Sequence, residues 1–299
     1  GECSSANISR FDGGPWVFTN AGSTGRYGPT QSQVNSAYSG TELDGLVTIS
    51  TRGIQEWEVP VSGTYSIEAL GAAGTNSNDQ HAGYGAKLKG DFTLNKGVKI
   101  LILVGQTPSV GGYDGAGGGG TFVIKNNTNG SYSNSDILVI AGGGGGSTDY
   151  STNISQAHAL VESSGGKSQT NHTGGQNGQG APSTYSLSGN TSCAGQGAGF
   201  LTDAGETGCG SILGNEVAKS FTNGGQGGEG SCGRSPFGGF GGGGGTGCGG
   251  AGGGGGYSGG GGSYSWGHGG GGGSYNNGTN KINTSGINGG QGKVVITYK

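Results

Sequence analysis

The sequence of 299 residues contains no methionine, few charged residues and no long hydrophobic segment. Lys, Arg, Asp and Glu make up only 10% of it, which is not typical of charge-rich disordered proteins. No basic stripe is present that could neutralise the phosphates of a nucleic acid. No apolar run reaches the roughly 18 residues of a membrane-spanning helix, and no signal peptide is recognisable. We therefore expect a mature or excised piece of a longer protein, itself outside the membrane and without a nucleic-acid partner.

Patterns typical of catalysis and metal binding are also missing. The four histidines are scattered without zinc-ligand spacing, and no nucleophile motif accompanies them. GxGxxG occurs repeatedly, but a glycine-rich composition produces it by chance. The segment Gly165–Ser168 ends like a phosphate loop, yet Val161 stands where that motif needs a glycine. We expect no catalytic residues, no cofactor and no metal in this chain, and hence no enzyme.

Glycine is the abundant residue, with 80 positions. The main run is Gly238–Gly262, and shorter runs lie at 117–120, 142–146, 174–180, 224–230 and 269–273. Collagen is excluded because it needs glycine at every third position and abundant proline, and only six prolines are present. Polyglycine can instead adopt an extended helix with three residues per turn, whose amide groups must bond to neighbouring segments when buried. The runs therefore predict a packed bundle of such helices; disorder is the alternative.

The rest of the sequence predicts short antiparallel strands and no helix longer than a turn. Residues 99–104 are apolar on both faces, which is typical of a central strand. Residues 86–94 and 98–104 predict a hairpin around Asn95-Lys96-Gly97. The isolated last strand, Lys293–Tyr298, needs partners and is expected to return to the N-terminal sheet. Further strands are predicted at 16–19, 46–50, 54–59, 64–70, 121–125 and 137–141.

These elements predict a mainly β fold with two parts. Residues 11–141 and 290–299 form an antiparallel β-sandwich. Residues 142–289 form a glycine-rich insertion, and a short glycine excursion occurs at 111–120.

The cysteines and glycosylation sequons favour an extracellular protein. Equal spacing suggests the pairs Cys193–Cys209 and Cys232–Cys248, although four cysteines allow three connectivities and free thiols are the alternative. Cys3 is left over. The asparagines of N-x-S/T sequons are Asn7, Asn126, Asn129, Asn153, Asn171, Asn190, Asn277 and Asn283.

Aromatic residues and a histidine are interspersed with glycines after the main run. One interpretation is a ligand-binding surface, because aromatic side chains on a rigid scaffold are effective anchors. The other is that they fill gaps where the glycine helices meet the sandwich. The residues are Tyr257, Tyr264, Trp266, His268 and Tyr275.

Several stretches resemble the glycine-rich ectodomain module of the anaplastic lymphoma kinase and leukocyte tyrosine kinase receptors. The most specific are GPTQ, within residues 16–40, and GTYSIEALGAAG, within residues 54–74. The others are ILVGQ, GGGGTFV, LVIAGGGGG and the main glycine run, at 102–106, 117–123, 138–146 and 238–260.

The resemblance implies a tumour-necrosis-factor-like β-sandwich with an inserted bundle of polyglycine helices. It also implies a module that binds a secreted polypeptide cytokine and promotes receptor dimerisation. Two departures stand out. Ala21 and Val34 replace two cysteines that flank GPTQ in the family. The family's ligand-binding carboxylates follow the last glycine run, whereas no Asp or Glu occurs here from Tyr257 to Lys299.

We therefore expect a non-catalytic, ligand-binding module in the extracellular part of a single-pass receptor tyrosine kinase. The alternative is a secreted or surface-attached adhesion protein that uses the same scaffold without a kinase.

Overall fold

The computed structural model describes residues 13–76, 82–109, 114–127, 129–183, 194–206, 216–230, 236–264 and 266–299. Within these ranges the chain forms eleven strands, one α-helix and two 3₁₀ turns. The strands are β1 (Trp16–Phe18), β2 (Val47–Thr51), β3 (Ile54–Glu58), β4 (Gly63–Leu70), β5 (Gly85–Leu94), β6 (Lys99–Leu103), β7 (Thr121–Lys125), β8 (Ile137–Ala141), β9 (Tyr275–Asn276), β10 (Thr279–Asn288) and β11 (Lys293–Tyr298). The helix is α1 (Gln31–Tyr38), and the 3₁₀ turns are Ile154–Ala157 and Phe221–Asn223.

The strands form two antiparallel sheets, so the predicted mainly β fold is confirmed. One sheet has the order β1-β11-β4-β5-β10 and the other β2-β3-β6-β7-β8-β9. The last strand, β11, lies between β1 and β4, and this confirms its predicted return to the N-terminal sheet. Strand β6 lies between β3 and β7, which confirms its predicted interior position.

The predicted hairpin between β5 and β6 is wrong, because the two strands belong to different sheets. Their connection bonds to the residue that follows β3. Val59 donates its N–H to the carbonyl of Val98 and accepts from the N–H of Gly97. Gly97 has a φ of +84°, a conformation open to glycine, and the turn directs the chain from one sheet into the other.

The expectation that no helix exceeds one turn is also wrong, because α1 has eight residues. Thr30 caps the helix through a reciprocal capping box with Gln33, which satisfies two amide groups at the helix N-terminus. Val34 and Tyr38 lie four residues apart on the same face and are both buried in the core. Tertiary burial, rather than the weak local periodicity, therefore stabilises this helix.

The first hydrophobic core is contributed by both sheets. Its largest fully buried side chains are Trp57 from the six-stranded sheet and Phe18 and Tyr65 from the five-stranded sheet. Trp57 contacts both other rings edge-on, with centroid separations of 6.1 Å to Phe18 and 6.3 Å to Tyr65. These aromatic contacts hold the two sheets together at one end.

The second core lies on the opposite face of the six-stranded sheet. Apolar side chains from β3, β6, β7 and β8 meet four aromatic residues of the glycine-rich region. This sheet is therefore covered on both faces, which is why its central strands are apolar on both sides. The four aromatic residues are Phe200, Phe221, Phe240 and Tyr257.

Two strands lie inside residues 142–289, the range predicted to be an insertion. β9 pairs with β8, and β10 pairs with β5 at the edge of the other sheet. Each sheet therefore includes residues from the end of that range.

The glycine runs belong to no strand or helix, and most of their glycines are buried. Their backbone amides bond to neighbouring segments in a repeat of three. Gly252 and Gly255 donate to the carbonyls of Gly115 and Gly118. The residues that follow them, Gly253 and Gly256, donate to the carbonyls of Gly195 and Ala198. Gly254 and Tyr257 complete the repeat by donating to Gly270 and Gly273. Six consecutive N–H groups thus contact three neighbouring segments in strict rotation.

This arrangement requires residues without a side chain. A Cβ added to Gly254 would lie less than 3.0 Å from the carbonyl oxygen of Gly143, and one added to Gly243 would collide in the same way with Gly117. Such separations are sterically forbidden, so the hydrogen-bonded segments can approach each other only as glycine.

We predict that Gly243→Ala destabilises the protein by at least about 3 kcal/mol, because the methyl group forces two backbones apart and breaks their hydrogen bonds. Gly243→Val should be more severe. Gly290→Ala is the control, since a Cβ there meets nothing within 4 Å. Thermal unfolding and limited proteolysis provide the measurements. Equal stability of Gly243→Ala and Gly290→Ala would contradict the packed arrangement.

Candidate functional site

The five residues predicted as a ligand-binding surface do not form one surface. Tyr257 is only 2% exposed and belongs to the second core. Its hydroxyl donates to Asn134 Oδ1 at 3.0 Å, and its ring packs on Tyr275 with a centroid separation of 4.7 Å. Burial is the main cause that raises the pKa of Tyr257. These two tyrosines join the glycine region to the sheet, as the gap-filling interpretation describes.

His268 is fully buried. Its Nδ1 lies 3.0 Å from the carbonyl oxygen of Gly269, while Nε2 has no hydrogen-bond partner within the described part of the chain. Burial lowers its pKa, because a charged ring would lose its hydration there. The side chain cannot contact a ligand directly in this state.

Trp266 is the most exposed of the five, at 50%. Its indole contacts Tyr150 edge-on, with a centroid separation of 5.3 Å, and Tyr150 is itself exposed. Trp266 has a φ of +65°, which is unfavourable for a bulky residue. Backbone hydrogen bonds to Gly249 and from the Thr148 hydroxyl hold it in place. The result is a fixed, exposed aromatic pair.

Tyr264 lies close to Trp266 in sequence but packs against a different residue. It is partly buried and packs against the ring of His172, with a centroid separation of 5.2 Å. The role of the five residues in ligand binding stays a prediction. Trp266 is the most accessible of them, because the other four are buried or partly buried.

A second exposed cluster, which the sequence analysis missed, surrounds the buried side chain of Arg26. Its guanidinium donates to the carbonyl of Gly227 at 3.0 Å and to the carboxylates of Glu216 and Glu229 at 2.9 and 2.6 Å. A hydrogen bond from Gln226 and the charge of Arg26 lower the pKa of Glu216. The Arg26 side chain therefore connects the N-terminal segment to the glycine-rich region.

Aromatic rings and a second arginine extend the Arg26 cluster across the surface. The Arg26 guanidinium lies 5.1 Å from the ring centre of Tyr27 and 5.3 Å from that of Phe237, and Arg52 lies 4.8 Å from Tyr27. Tyr27 and Phe237 are 41% and 37% exposed. The local signal was the Arg-Tyr pair just before the GPTQ motif. Its carboxylate partners lie about 200 residues away, so sequence spacing could not assign them.

His158, which follows the 3₁₀ turn Ile154–Ala157, contacts Tyr84, the residue that precedes β5. Its Nδ1 accepts the backbone N–H of Tyr84 at 2.9 Å, and the two rings stack with a centroid separation of 5.2 Å. The next residue, Ala159, donates its N–H to the Tyr84 carbonyl. Burial lowers the pKa of His158, and a proton on Nδ1 would remove the acceptor.

The predicted disulfides are only partly visible. Cys248 is disulfide-bonded. Its predicted partner Cys232 lies outside the described residues, as do Cys193, Cys209 and Cys3. The two pairings therefore remain predictions.

Six of the sequon asparagines lie in described segments. Five are exposed and Asn126 is half-buried. Asn7 and Asn190 lie outside the described residues, and glycosylation stays a prediction at all eight positions. The exposed asparagines are Asn129, Asn153, Asn171, Asn277 and Asn283.

Among the described residues, no cluster of three or more His, Cys, Asp or Glu side chains could hold a metal ion. In the same part of the chain, no helix combines the length and apolar character needed to cross a membrane.

We predict that Arg26→Ala lowers the free energy of unfolding by on the order of 2 kcal/mol, because two carboxylates and a carbonyl lose a charged donor. The loss is smaller than for a fully buried ion pair, since Glu216 is 55% exposed. Arg26→Lys should recover only part of it, because an ammonium group cannot form the forked contacts. Arg52→Ala, which removes an exposed arginine, is the control in denaturant unfolding. Equal effects of Arg26→Ala and Arg52→Ala would contradict this role.

We also predict that acidification destabilises the protein through His158. Its pKa in the folded state lies below the ordinary 6.5, so the unfolded chain binds more protons as the pH falls below 6.5. The stabilisation is complete above that pH and is lost towards the folded-state pKa. His158→Asn keeps an acceptor near Tyr84 and should flatten the decrease between about pH 7 and 5. His268, which remains, contributes the rest. Identical pH profiles of stability for the two proteins would refute this assignment.

Comparison with known proteins finds a receptor to which part of this chain is similar. No protein-family model matches the chain. It is 42% identical over 99 residues to the leukocyte tyrosine kinase receptor of Mus musculus, a stretch that covers 31% of the chain and 11% of that receptor. Over that stretch the chain is similar to this receptor, which agrees with the resemblance that the sequence motifs indicated.

Proposed function

We propose that this chain is a non-catalytic, extracellular module of a receptor tyrosine kinase that binds a secreted polypeptide and promotes receptor dimerisation. The observation that carries the proposal is the 42% identity to the leukocyte tyrosine kinase receptor. The matched stretch is 11% of that receptor, so most of the receptor's length lies outside the comparison. The location of the module in a single-pass membrane protein is part of the same proposal.

The finer architecture that we propose is a tumour-necrosis-factor-like sandwich carrying a bundle of polyglycine helices. The rotation of Gly252–Tyr257 among three neighbours supports a helix with three residues per turn. The same repeat occurs in Gly143–Ser147, where Gly143 and Gly146 donate to Gly255 and Gly252. A first core shared by both sheets supports the sandwich.

Two surfaces are proposed to contact the polypeptide. One is the exposed Trp266–Tyr150 pair, and the other is formed by Tyr27 and Phe237 beside the two arginines. Aromatic residues and arginine are the residue types that most often dominate binding energy in protein interfaces. Both surfaces rest on a hydrogen-bonded glycine scaffold, so ordering them costs little entropy on binding.

The test is capture from conditioned extracellular medium on the immobilised, oxidised protein. Mass spectrometry identifies what binds, and size-exclusion chromatography with light scattering gives the stoichiometry. We expect one small secreted polypeptide and a complex that contains two copies of this chain. Trp266→Ala and Tyr27→Ala should each weaken binding at least about tenfold if they are hot spots. Leu46→Ala, which truncates an isolated exposed side chain, is the control. A polypeptide that binds all three variants as tightly as the parent protein would exclude these surfaces.

A second candidate function is adhesion by a surface protein without a kinase. It is favoured by the lack of any Asp or Glu from Tyr257 to Lys299, a segment in which the resemblance to the receptors implies ligand-binding carboxylates. Capture of glycans or of many surface proteins, with the chain remaining monomeric, is the result expected for adhesion and contrary to the receptor proposal.

A further inference from the structure

A small cleft lies where the 3₁₀ turn Phe221–Asn223 meets the six-stranded sheet. Its volume is about 170 Å³. The floor is apolar, formed by Ile54 and Leu101, and the rings of Tyr132 and Phe221 form part of its wall. These rings contact each other edge-on, with a centroid separation of 5.7 Å. The cleft is smaller than the roughly 300–1,000 Å³ of pockets for drug-sized ligands, and its size suits a single ring.

The rim of the cleft is polar. Ser50, Thr51, Thr222 and Glu56 are among the residues that line the cleft. An apolar floor with a few polar groups around it is typical of sites that bind an amphipathic ring. A pyranose is such a ring, because it has C–H groups on its faces and hydroxyls around its edge.

Asn126 lines the same cleft and is held by three hydrogen bonds. Its backbone N–H donates to the carbonyl of Lys99 at 2.8 Å. Its side-chain Nδ2 donates to Glu56 Oε2 at 3.3 Å, and Oδ1 accepts from the Tyr132 hydroxyl at 3.2 Å. The amide nitrogen has two hydrogens, so one remains for substitution when the other bonds to Glu56.

Asn126 is also the first residue of the sequon Asn126-Asn127-Thr128. We propose that Asn126 carries an N-linked glycan and that its first sugar occupies this cleft. The proposal rests on the extracellular setting proposed above. The sugar would pack its C–H face against Tyr132 and Phe221 and direct its polar groups to the rim, thereby joining the sheet to the glycine-rich region. Asn126 is thus distinguished from Asn153, whose side chain is exposed on a surface turn.

The bond forms by transfer from a donor sugar activated as a lipid-linked pyrophosphate. Nδ2 of Asn126 attacks the anomeric carbon and loses one proton to a base. The bond from that carbon to the phosphate oxygen breaks, and the lipid pyrophosphate leaves with the electron pair. The remaining N–H and the carbonyl oxygen keep the hydrogen bonds to Glu56 and Tyr132, so glycosylation preserves the local geometry.

The experiment uses the full chain secreted from a glycosylating eukaryotic host. Peptide mapping gives the occupancy of each sequon. An amidase that cleaves the bond between asparagine and sugar is then applied to the native and to the denatured protein. We expect the glycan at Asn126 to be released at least tenfold more slowly from the native protein, whereas the glycan at Asn153 is released readily in both states.

Two sequon variants separate the sugar from the asparagine itself. Thr128→Ala removes the Asn126 sequon and leaves its amide hydrogen bonds in place. Ser155→Ala removes the Asn153 sequon at an exposed side chain and is the matched control. We expect Thr128→Ala to lower Tm by about 2–4 °C relative to Ser155→Ala, since about 1 kcal/mol of packing is lost in a domain of this size. Enzymatic release would leave an aspartate at position 126 beside Glu56, so the bare comparison uses the same two variants produced in a bacterial host that does not glycosylate them. In these unglycosylated proteins the difference in Tm should disappear.

An unoccupied Asn126 in a chain that is glycosylated elsewhere overturns this inference and leaves the receptor proposal standing. A glycosylated Asn126 overturns it as well if the glycans at Asn126 and Asn153 are released at equal rates from the native protein and Thr128→Ala and Ser155→Ala have the same Tm. If every sequon is bare in a protein that the host secretes, the inference is overturned. Retention of the chain inside the cell would instead contradict the extracellular setting.

Discussion

Backbone hydrogen bonding between closely spaced glycine segments is the constraint on which this structure depends. Around Gly254 and Gly243, a neighbouring carbonyl occupies the space where a Cβ would be. The amide groups that an extended glycine helix leaves unpaired within itself are thereby satisfied between segments. Each ordered residue costs about 1–2 kcal/mol of backbone entropy, and each net hydrogen bond contributes about 0.5–1.5 kcal/mol. The glycine segments alone are therefore close to neutral in stability and need support from the rest of the fold.

The six-stranded sheet provides that support. Phe200, Phe221, Phe240 and Tyr257 extend from glycine-rich segments onto its outer face and bury the apolar side chains there. Stacking of Phe221 on Phe122, with centroids 5.3 Å apart, is one such contact. Arg26 adds a polar contact to the glycine-rich region, because its guanidinium donates to the carbonyl of Gly227. The glycine-rich segments shield the outer apolar face of the sheet from water. In return, their contacts with the sheet provide the apolar burial that glycine cannot provide.

This arrangement has consequences for binding. Some aromatic residues near the main glycine run, such as Tyr257, are buried between the glycine segments and the six-stranded sheet. Others, such as Trp266, remain exposed. The lack of Asp and Glu from Tyr257 to Lys299 means that the ligand binding proposed above would not use carboxylates of that segment. The exposed aromatic and arginine residues are the natural candidates, since a rigid glycine scaffold holds them without further ordering.

The sequence by itself determined the fold class, the position of most strands, the central place of β6, the return of β11 and the resemblance to the receptor. These features follow from local alternation, from runs that are apolar on both faces and from specific motifs. Only the tertiary structure decided that β5 and β6 lie in different sheets, that α1 is a helix and that Arg26 meets Glu216 and Glu229. The reason is that each of these depends on contacts between residues distant in sequence. Glycine runs carry no side-chain pattern, so the identity of their hydrogen-bonded neighbours is set entirely by how the segments pack.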